Sequence, residues 1–314
     1  MKIRLFAFFS VLLLLTVPLT AAESAKTVRL LTVGNSFSQN ATRYLGDLAT
    51  NAGNILIHKP IVVGGASLEL HAGKMQSFEK DPALTNGYYA SKLSLKQYLL
   101  ADKWDFVTIQ QASIKSHDFS TYQPFASQLY DYIKKHAPQA EVLVHQTWEY
   151  RVDDPRFKVA SPKAGEPKDQ NAMYEQLTAA YKKICAELGT RRLPVGDAFH
   201  LANNDPKWGF HADTKFDSKK AVEPELPDQT HSLNVGWKWT TKNGKTTLTM
   251  DGHHANTAGE YLGACVWYEL LYGQSVVGNK FVPKGLDTAY AKFLQETAHK
   301  AVIAVQSHKL ETKK

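Results

Sequence analysis

The chain has 314 residues, 43% of them hydrophobic and 21% charged. That fits a globular protein large enough for one sizeable domain or two small ones, and it excludes a disordered or fibrous chain. Lys and Arg outnumber Asp and Glu by 37 to 30, a formal charge of +7. The basic residues are scattered, with no long run and no nucleic-acid motif, so no nucleic-acid partner is expected.

Lys2 and Arg4 precede an apolar run over residues 5–17, and small residues up to Ala22 follow. This pattern predicts a secretory signal peptide over residues 1–22. The alternative is a retained N-terminal anchor. The run is short for a membrane span, and no later run approaches its length, so no stable membrane insertion is expected after cleavage. No Cys near the cleavage site offers a lipid anchor. Loss of Lys2 and Arg4 lowers the formal charge to +5. The expected compartment is periplasmic or extracellular.

Residues 28–33 are an apolar run rich in Leu and Val, followed by Gly34, Asn35 and Ser36. Apolar side chains at Ala41, Tyr44, Leu45, Leu48, Ala49 and Ala52 then mark one helix face over residues 40–53. Gly34 suits a sharp turn between strand and helix. The pattern puts Ser36 at the C-terminal end of a strand, beside a helix N-terminus whose free N–H groups can stabilise negative charge. Ser36 has two readings at this point, a helix cap and a nucleophile.

Residues 55–63 predict a second strand, with Pro60 favouring an edge, and end in Gly64-Gly65. Helices are expected over 67–78 and 93–100. A third strand over 104–110 ends in Gln110-Gln111. After a helix over 121–136, a fourth strand over 141–145 runs into His145-Gln-Thr-Trp148. Residues 151–168 hold three Pro and many charges, and predict a surface loop. A helix over 172–188 leads to a short fifth strand over 192–195 and Asp197. Residues 203–228 are polar and without period. Asn243-Gly244, between Trp237-Lys-Trp239 and a Thr-rich run, predicts a β-hairpin. Helices over 257–271 and 286–306 close the chain.

Strands alternating with helices predict a three-layer α/β/α sandwich on a mostly parallel five-stranded sheet. Residues 23–314 form one domain, with a polar insertion and hairpin at about 203–250. Ser36, Gly65, Gln111, His145 and Asp197 then fall at successive strand ends, along one edge of the sheet. Ligands bind at that edge in open α/β sheets.

A serine nucleophile needs a base, and the base needs an orienting acid. Asp251-Gly-His-His254 offers both within one short loop. The bland reading is a capping Asp251 with two surface histidines. Zinc at adjacent histidines is a third reading, but no spaced His, Cys and Asp set surrounds them, so no metal is expected.

Val33-Gly-Asn-Ser-Phe-Ser38 and Asp251-Gly-His-His254-Ala-Asn-Thr-Ala-Gly259, in that order and at those strand ends, resemble the SGNH (GDSL-like) hydrolase superfamily. The likeness extends over residues 28–271 and points to an uncharacterised branch of secreted bacterial members. It implies a flavodoxin-like SGNH hydrolase fold and a triad of Ser36, His254 and Asp251, with His254 rather than His253 as the base. It also implies an oxyanion hole of Ser36, Gly65 (or Gly64) and Gln111 (or Gln110). The family usually carries Asp where Asn35 stands, and Asn where the glutamines stand. No cofactor is implied. The expected partner is a small-molecule or glycan ester, and the expected reaction is hydrolysis of a short acyl ester, O-acetyl on a carbohydrate. A lipid esterase or thioesterase and an inactive glycan-binding domain are the alternatives. His145, Trp148, Trp237 and Trp239 are candidate substrate contacts. For the first two a core or supporting role stands beside that reading, and for the hairpin tryptophans simple packing is preferred. Neither the oligomeric state nor the acyl and alcohol groups can be read from the residues.

Overall fold

The computed structural model describes residues 25–159 and 165–311. The expected signal peptide lies outside the described residues. Five strands, β1 (Thr27–Gly34), β2 (Ile55–Val62), β3 (Phe106–Ile109), β4 (Glu141–His145) and β5 (Arg191–Leu193), form one sheet in the order β2-β1-β3-β4-β5. Every pairing is parallel. This is the flavodoxin-like strand order. Pro60 lies in the edge strand β2, where its missing N–H costs no ladder bond to a further strand.

Helices cover both faces. On one lie α1 (Ser36–Ala41), α2 (Leu45–Asn51), α7 (Val195–Asn203), α8 (Thr257–Tyr272) and α9 (Thr288–Glu311). On the other lie α3 (Leu68–Lys80), α4 (Leu95–Leu100), α5 (Phe125–His136) and α6 (Gln170–Leu188). The central strands are therefore apolar on both sides, and Leu30, Leu31, Val107, Ile109, Leu143 and Val144 are all buried. Helix α8 is buried nearly all round, which explains why its sequence lacks a polar face. Among the described residues no helix is long and apolar enough to cross a membrane.

Several elements differ from expectation. The helix expected over 40–53 is two helices. The chain tightens at Arg43 and Leu45, whose N–H groups donate to carbonyls three residues back, and the Thr42 hydroxyl donates to the Ser38 carbonyl. Gly34 sits in β1, not in a turn. It is needed for space, since a Cβ there would collide with Ser38 Oγ and Gln110. Helix α7 follows the fifth strand directly, where no element was expected, and it takes in Val195 and Asp197. The segment after β4 is no simple surface loop, because Arg151 and Asp154 are buried.

A separate hairpin, β6 (Asn234–Lys242) and β7 (Lys245–Ala255), turns at Asn243-Gly244 with φ of 52° and 74°. Positive φ at both positions is the type I′ geometry that Asn-Gly supports. Strand β7 runs on through Asp251 and His254, where a loop was expected. Gly236 pairs with Asp251 and Asn234 with Ala255, so the β7 side carries two extra residues. That irregularity breaks the strand's alternation and turns Asp251 and His254 toward each other. Both cysteines are buried free thiols. Burial pushes the Cys185 thiol up to about 11.

Candidate active site

The nucleophile candidate comes from the turn between β1 and α1. Asn35, not Ser36, caps α1: its Oδ1 accepts from Phe37 N at 2.9 Å. The capping reading of Ser36 therefore falls away, and its hydroxyl is left for another partner. Ser36 Oγ lies 2.9 Å from His254 Nε2. His254 Nδ1 lies 3.0 Å from Asp251 Oδ2, and the His254 backbone N–H donates to Asp251 Oδ1 at 3.0 Å. A carboxylate can only accept, so Nδ1 carries the ring proton and Nε2 is free to accept from the serine. Burial works against the charge on Asp251. The hydrogen bonds from the His254 ring and backbone outweigh it and hold the carboxyl well below its usual range.

Asn35 does more than cap. Its Nδ2 donates to the Ala66 carbonyl at 2.9 Å, and its Oδ1 also accepts from Gln110 Nε2 at 2.7 Å. Gln110 Oε1 in turn lies 3.0 Å from His145 Nδ1. This buried chain ties the ends of β1, β3 and β4 to the turn after β2. An aspartate at position 35 could not make the donation to Ala66. In that turn Gly65 has φ +65°, a left-handed conformation that suits glycine.

The cleft around Ser36 holds about 300 Å³ and is lined by Asn35, Ser36, Phe37, Gly65, Ala112, Ser113, Ile114, Tyr150, Arg156, His253 and His254. Gln111 is not among them, which corrects its expected place in the oxyanion hole. Its Nε2 donates to Thr121 O at 2.8 Å, and its Oε1 accepts from Leu68 N and Ala112 N. Its amide is spent on joining three loops. Gln110 is equally committed. Ser36 and Gly65 remain as backbone donors, and the first position of a helix has no intrahelical acceptor for its N–H.

The four substrate-contact candidates also lie off the cleft. His145 is buried between Trp148 and Trp267, and burial pushes its imidazole down to about 3, so it is neutral. Trp148 is buried, stacks on Phe199 at 4.5 Å, and donates from Nε1 to the His253 carbonyl at 2.9 Å. Trp237 packs near Phe216, and Trp239 Nε1 donates to the Glu225 carbonyl. The hairpin tryptophans thus pin the polar insertion to the hairpin. Asp197 forms a two-pronged ion pair with Arg192 and accepts from Gln146, away from the cleft.

What the sequence did not reveal is the segment after β4. Arg151 N donates to the Gly252 carbonyl at 2.8 Å. The buried Arg151 guanidinium holds Asp153 through two hydrogen bonds and also donates to Gln229 and Ser232. Arg156 pairs with Asp154 through two hydrogen bonds, lies 3.7 Å over the Tyr150 ring, and contacts His253 Nδ1 at 2.9 Å. Together with Trp148 this segment clamps the Asp251–His254 stretch. The only available signal was its density of aromatic and ionic side chains, which also fits a surface loop.

Asp251, His253 and His254 bring three ligand-type atoms within 4.8 Å of one another. Yet Arg156 Nη2 and Asp251 Oδ1 both approach His253 Nδ1, at 2.9 and 3.1 Å. The guanidinium can only donate, so Nδ1 is its acceptor and the Asp251 approach is a contact without a hydrogen bond. A lone pair already taken by a cation is a poor metal ligand.

A family described as DUF4886, a domain of unknown function, matches residues 29–203. A DUF4886 family protein from Bacteroides uniformis ATCC 8492 is similar in structure, with TM-score 0.67 and 26% identity over 88% of this chain and 95% of that one. Structural neighbours of this chain also include a candidate SGNH hydrolase from Slackia heliotrinireducens, with TM-score 0.46 and 20% identity over 77% of this chain and 98% of that one. A lipase/acylhydrolase from Enterococcus faecalis has TM-score 0.41 and 12% identity over 78% and 96%. The last two are too distant to bear on chemistry. No curated protein matches the chain.

Proposed function

The chain belongs to the DUF4886 family, and we propose that it is a serine ester hydrolase. The observation that carries this reading is the chain of contacts Ser36 Oγ, His254 Nε2 at 2.9 Å, and Asp251 Oδ2 3.0 Å from His254 Nδ1. His254 takes the Ser36 proton as Oγ attacks the ester carbonyl, and Asp251 holds the imidazole and stabilises the imidazolium. The negative charge on the carbonyl oxygen develops beside Ser36 and Gly65, whose backbone N–H groups form the hole. His254 then gives its proton to the departing alcohol. Water, deprotonated by His254, opens the acyl-enzyme and returns Ser36.

The substrate reading is a short acyl ester, O-acetyl on a carbohydrate. A cleft of about 300 Å³ is at the small end for ligand sites, which suits a short acyl group. Its rim is polar and aromatic, with Ser113, Tyr150, Arg156 and His253, which suits a hydroxyl-rich alcohol better than a lipid tail. Exported action follows from the N-terminal pattern Lys2, Arg4 and the apolar run after them. The test is acetate release from acetylated glycans, beside aryl esters of increasing acyl length. Wild type should release acetate, and Ser36→Ala should lose activity by on the order of a millionfold. Preference for long acyl esters would move the reading to a lipid esterase. No turnover of any ester would overturn it in favour of a glycan-binding domain.

A further inference from the structure

We infer that His253 is a substrate-facing hydrogen-bond donor on the alcohol side of the ester, and that Arg156 positions it by fixing its tautomer. The inference deepens the esterase reading and rests on it. Arg156 Nη2 points a proton at His253 Nδ1 from 2.9 Å. Guanidinium cannot accept, so Nδ1 carries the lone pair and the ring proton is on Nε2. Asp154 keeps Arg156 in place through two hydrogen bonds, and its own side chain is 3% exposed. The guanidinium lies 3.7 Å over the Tyr150 ring. The anchor is therefore rigid on two sides, and Trp148 holds the His253 backbone on a third.

No protein acceptor meets Nε2–H among the described residues, and the ring lines the cleft with 30% of its side chain exposed. Burial, with the charge of Arg156, outweighs the pull of Asp251 and pushes the imidazole down to about 4. It therefore stays neutral, with one fixed donor, across the physiological range.

The place of the ring decides which part of the substrate it meets. His253 and His254 have ring centroids 4.1 Å apart. His254 must reach the leaving oxygen to protonate it, so the alcohol lies on the histidine side. The carbonyl oxygen lies toward Ser36 N and Gly65 N. A donor next to His254 meets the alcohol portion, where a sugar offers a neighbouring hydroxyl or ring oxygen as acceptor.

The experiment compares kcat/KM for phenyl acetate, whose alcohol has no further oxygen, with that for an acetylated methyl xyloside. His253→Phe keeps a ring and removes the donor. The sugar-to-phenyl ratio should fall about tenfold, as expected for one lost hydrogen bond to substrate, and His253→Gln should restore part of it. An unchanged ratio in His253→Phe overturns the donor role. Nitrogen–proton correlation spectra of the imidazoles read the tautomer separately. Wild type should show Nε2–H at His253, and Arg156→Leu should mix the two tautomers. Nδ1–H in wild type overturns the positioning role of Arg156. If wild type turns over neither ester, the esterase reading and the donor role fall together, while the spectra still decide the tautomer.

Discussion

The two halves of the site are held in place by different physics. Ser36 follows β1, which parallel ladders to β2 and β3 fix from both sides, Gly65 follows the edge strand β2, and the buried Asn35, Gln110 and His145 chain locks these ends to one another. Asp251 and His254 ride on a two-stranded arm outside the main sheet. They reach Ser36 because the segment after β4 grips them through Trp148, Arg151 and Arg156. The family match ends at residue 203, so it includes the serine and the clamp but neither the acid nor the base. A sheet end places a nucleophile wherever the fold forms, whereas a base delivered by an arm needs its own dedicated fastening.

The largest way to break this contrast is Arg151→Met. It leaves Asp153, Gln229 and Ser232 without their buried cation, a loss of about 3–5 kcal/mol for a broken buried pair. Urea unfolding should show that loss, and hydrogen exchange should accelerate first over residues 234–255, with the sheet still protected. Uniform exchange in arm and sheet would show that the clamp does not hold the arm separately.

Acid should act on the other half. His145 is neutral in the fold and titrates near 3, and burial pushes His71, which touches the Gly34 carbonyl, down to about 4. In the unfolded chain both bind a proton near 6.5. Between about 6.5 and 4 the unfolded state therefore binds more protons, and stability falls as pH falls through that window. At pH 5 the loss is on the order of 2 kcal/mol per histidine. Melting temperatures from pH 7.5 to 5 should show it, and His145→Gln should flatten the curve. An equal slope in that variant would mean that His145 is already charged in the fold.

The finest test is Trp148→Phe. It keeps the stack on Phe199 but removes the donor to the His253 carbonyl, a loss of about 1 kcal/mol. We expect kcat to fall several-fold beside a drop of a few degrees in melting temperature. A fall in melting temperature with kcat intact would make Trp148 a core residue alone.

These two physics also decide what was legible in the residues. The five strands follow from apolar runs that must be buried on both faces, so the parallel sheet and the placing of Ser36 could be read in advance. The Asn-Gly turn likewise announced the hairpin. Gln111 could not be read, because whether an amide faces a cleft or bridges loops depends on Thr121 and Leu68, which are remote in sequence. The clamp was hidden for the same reason: Arg151 and Asp154 look like solvent-loving charges until a hairpin about a hundred residues later covers them. His145 and Trp148 stand at a strand end, where a cleft contact and a core role fit equally well, and only their neighbours Trp267 and Phe199 decide for the core.

The hydrogen bond between Ser36 and His254 joins residues 218 positions apart. During synthesis the nucleophile leaves the ribosome early, and its base leaves only when most of the chain has been made. Loop closure over such a span is entropically costly and comes late in folding. A nascent or truncated chain ending before residue 250 contains the residues of β1 to β5 but lacks His254, so it holds no base against its serine. Reactivity therefore appears as a final event, and labelling of Ser36 by a serine-directed probe would time the completion of the whole molecule.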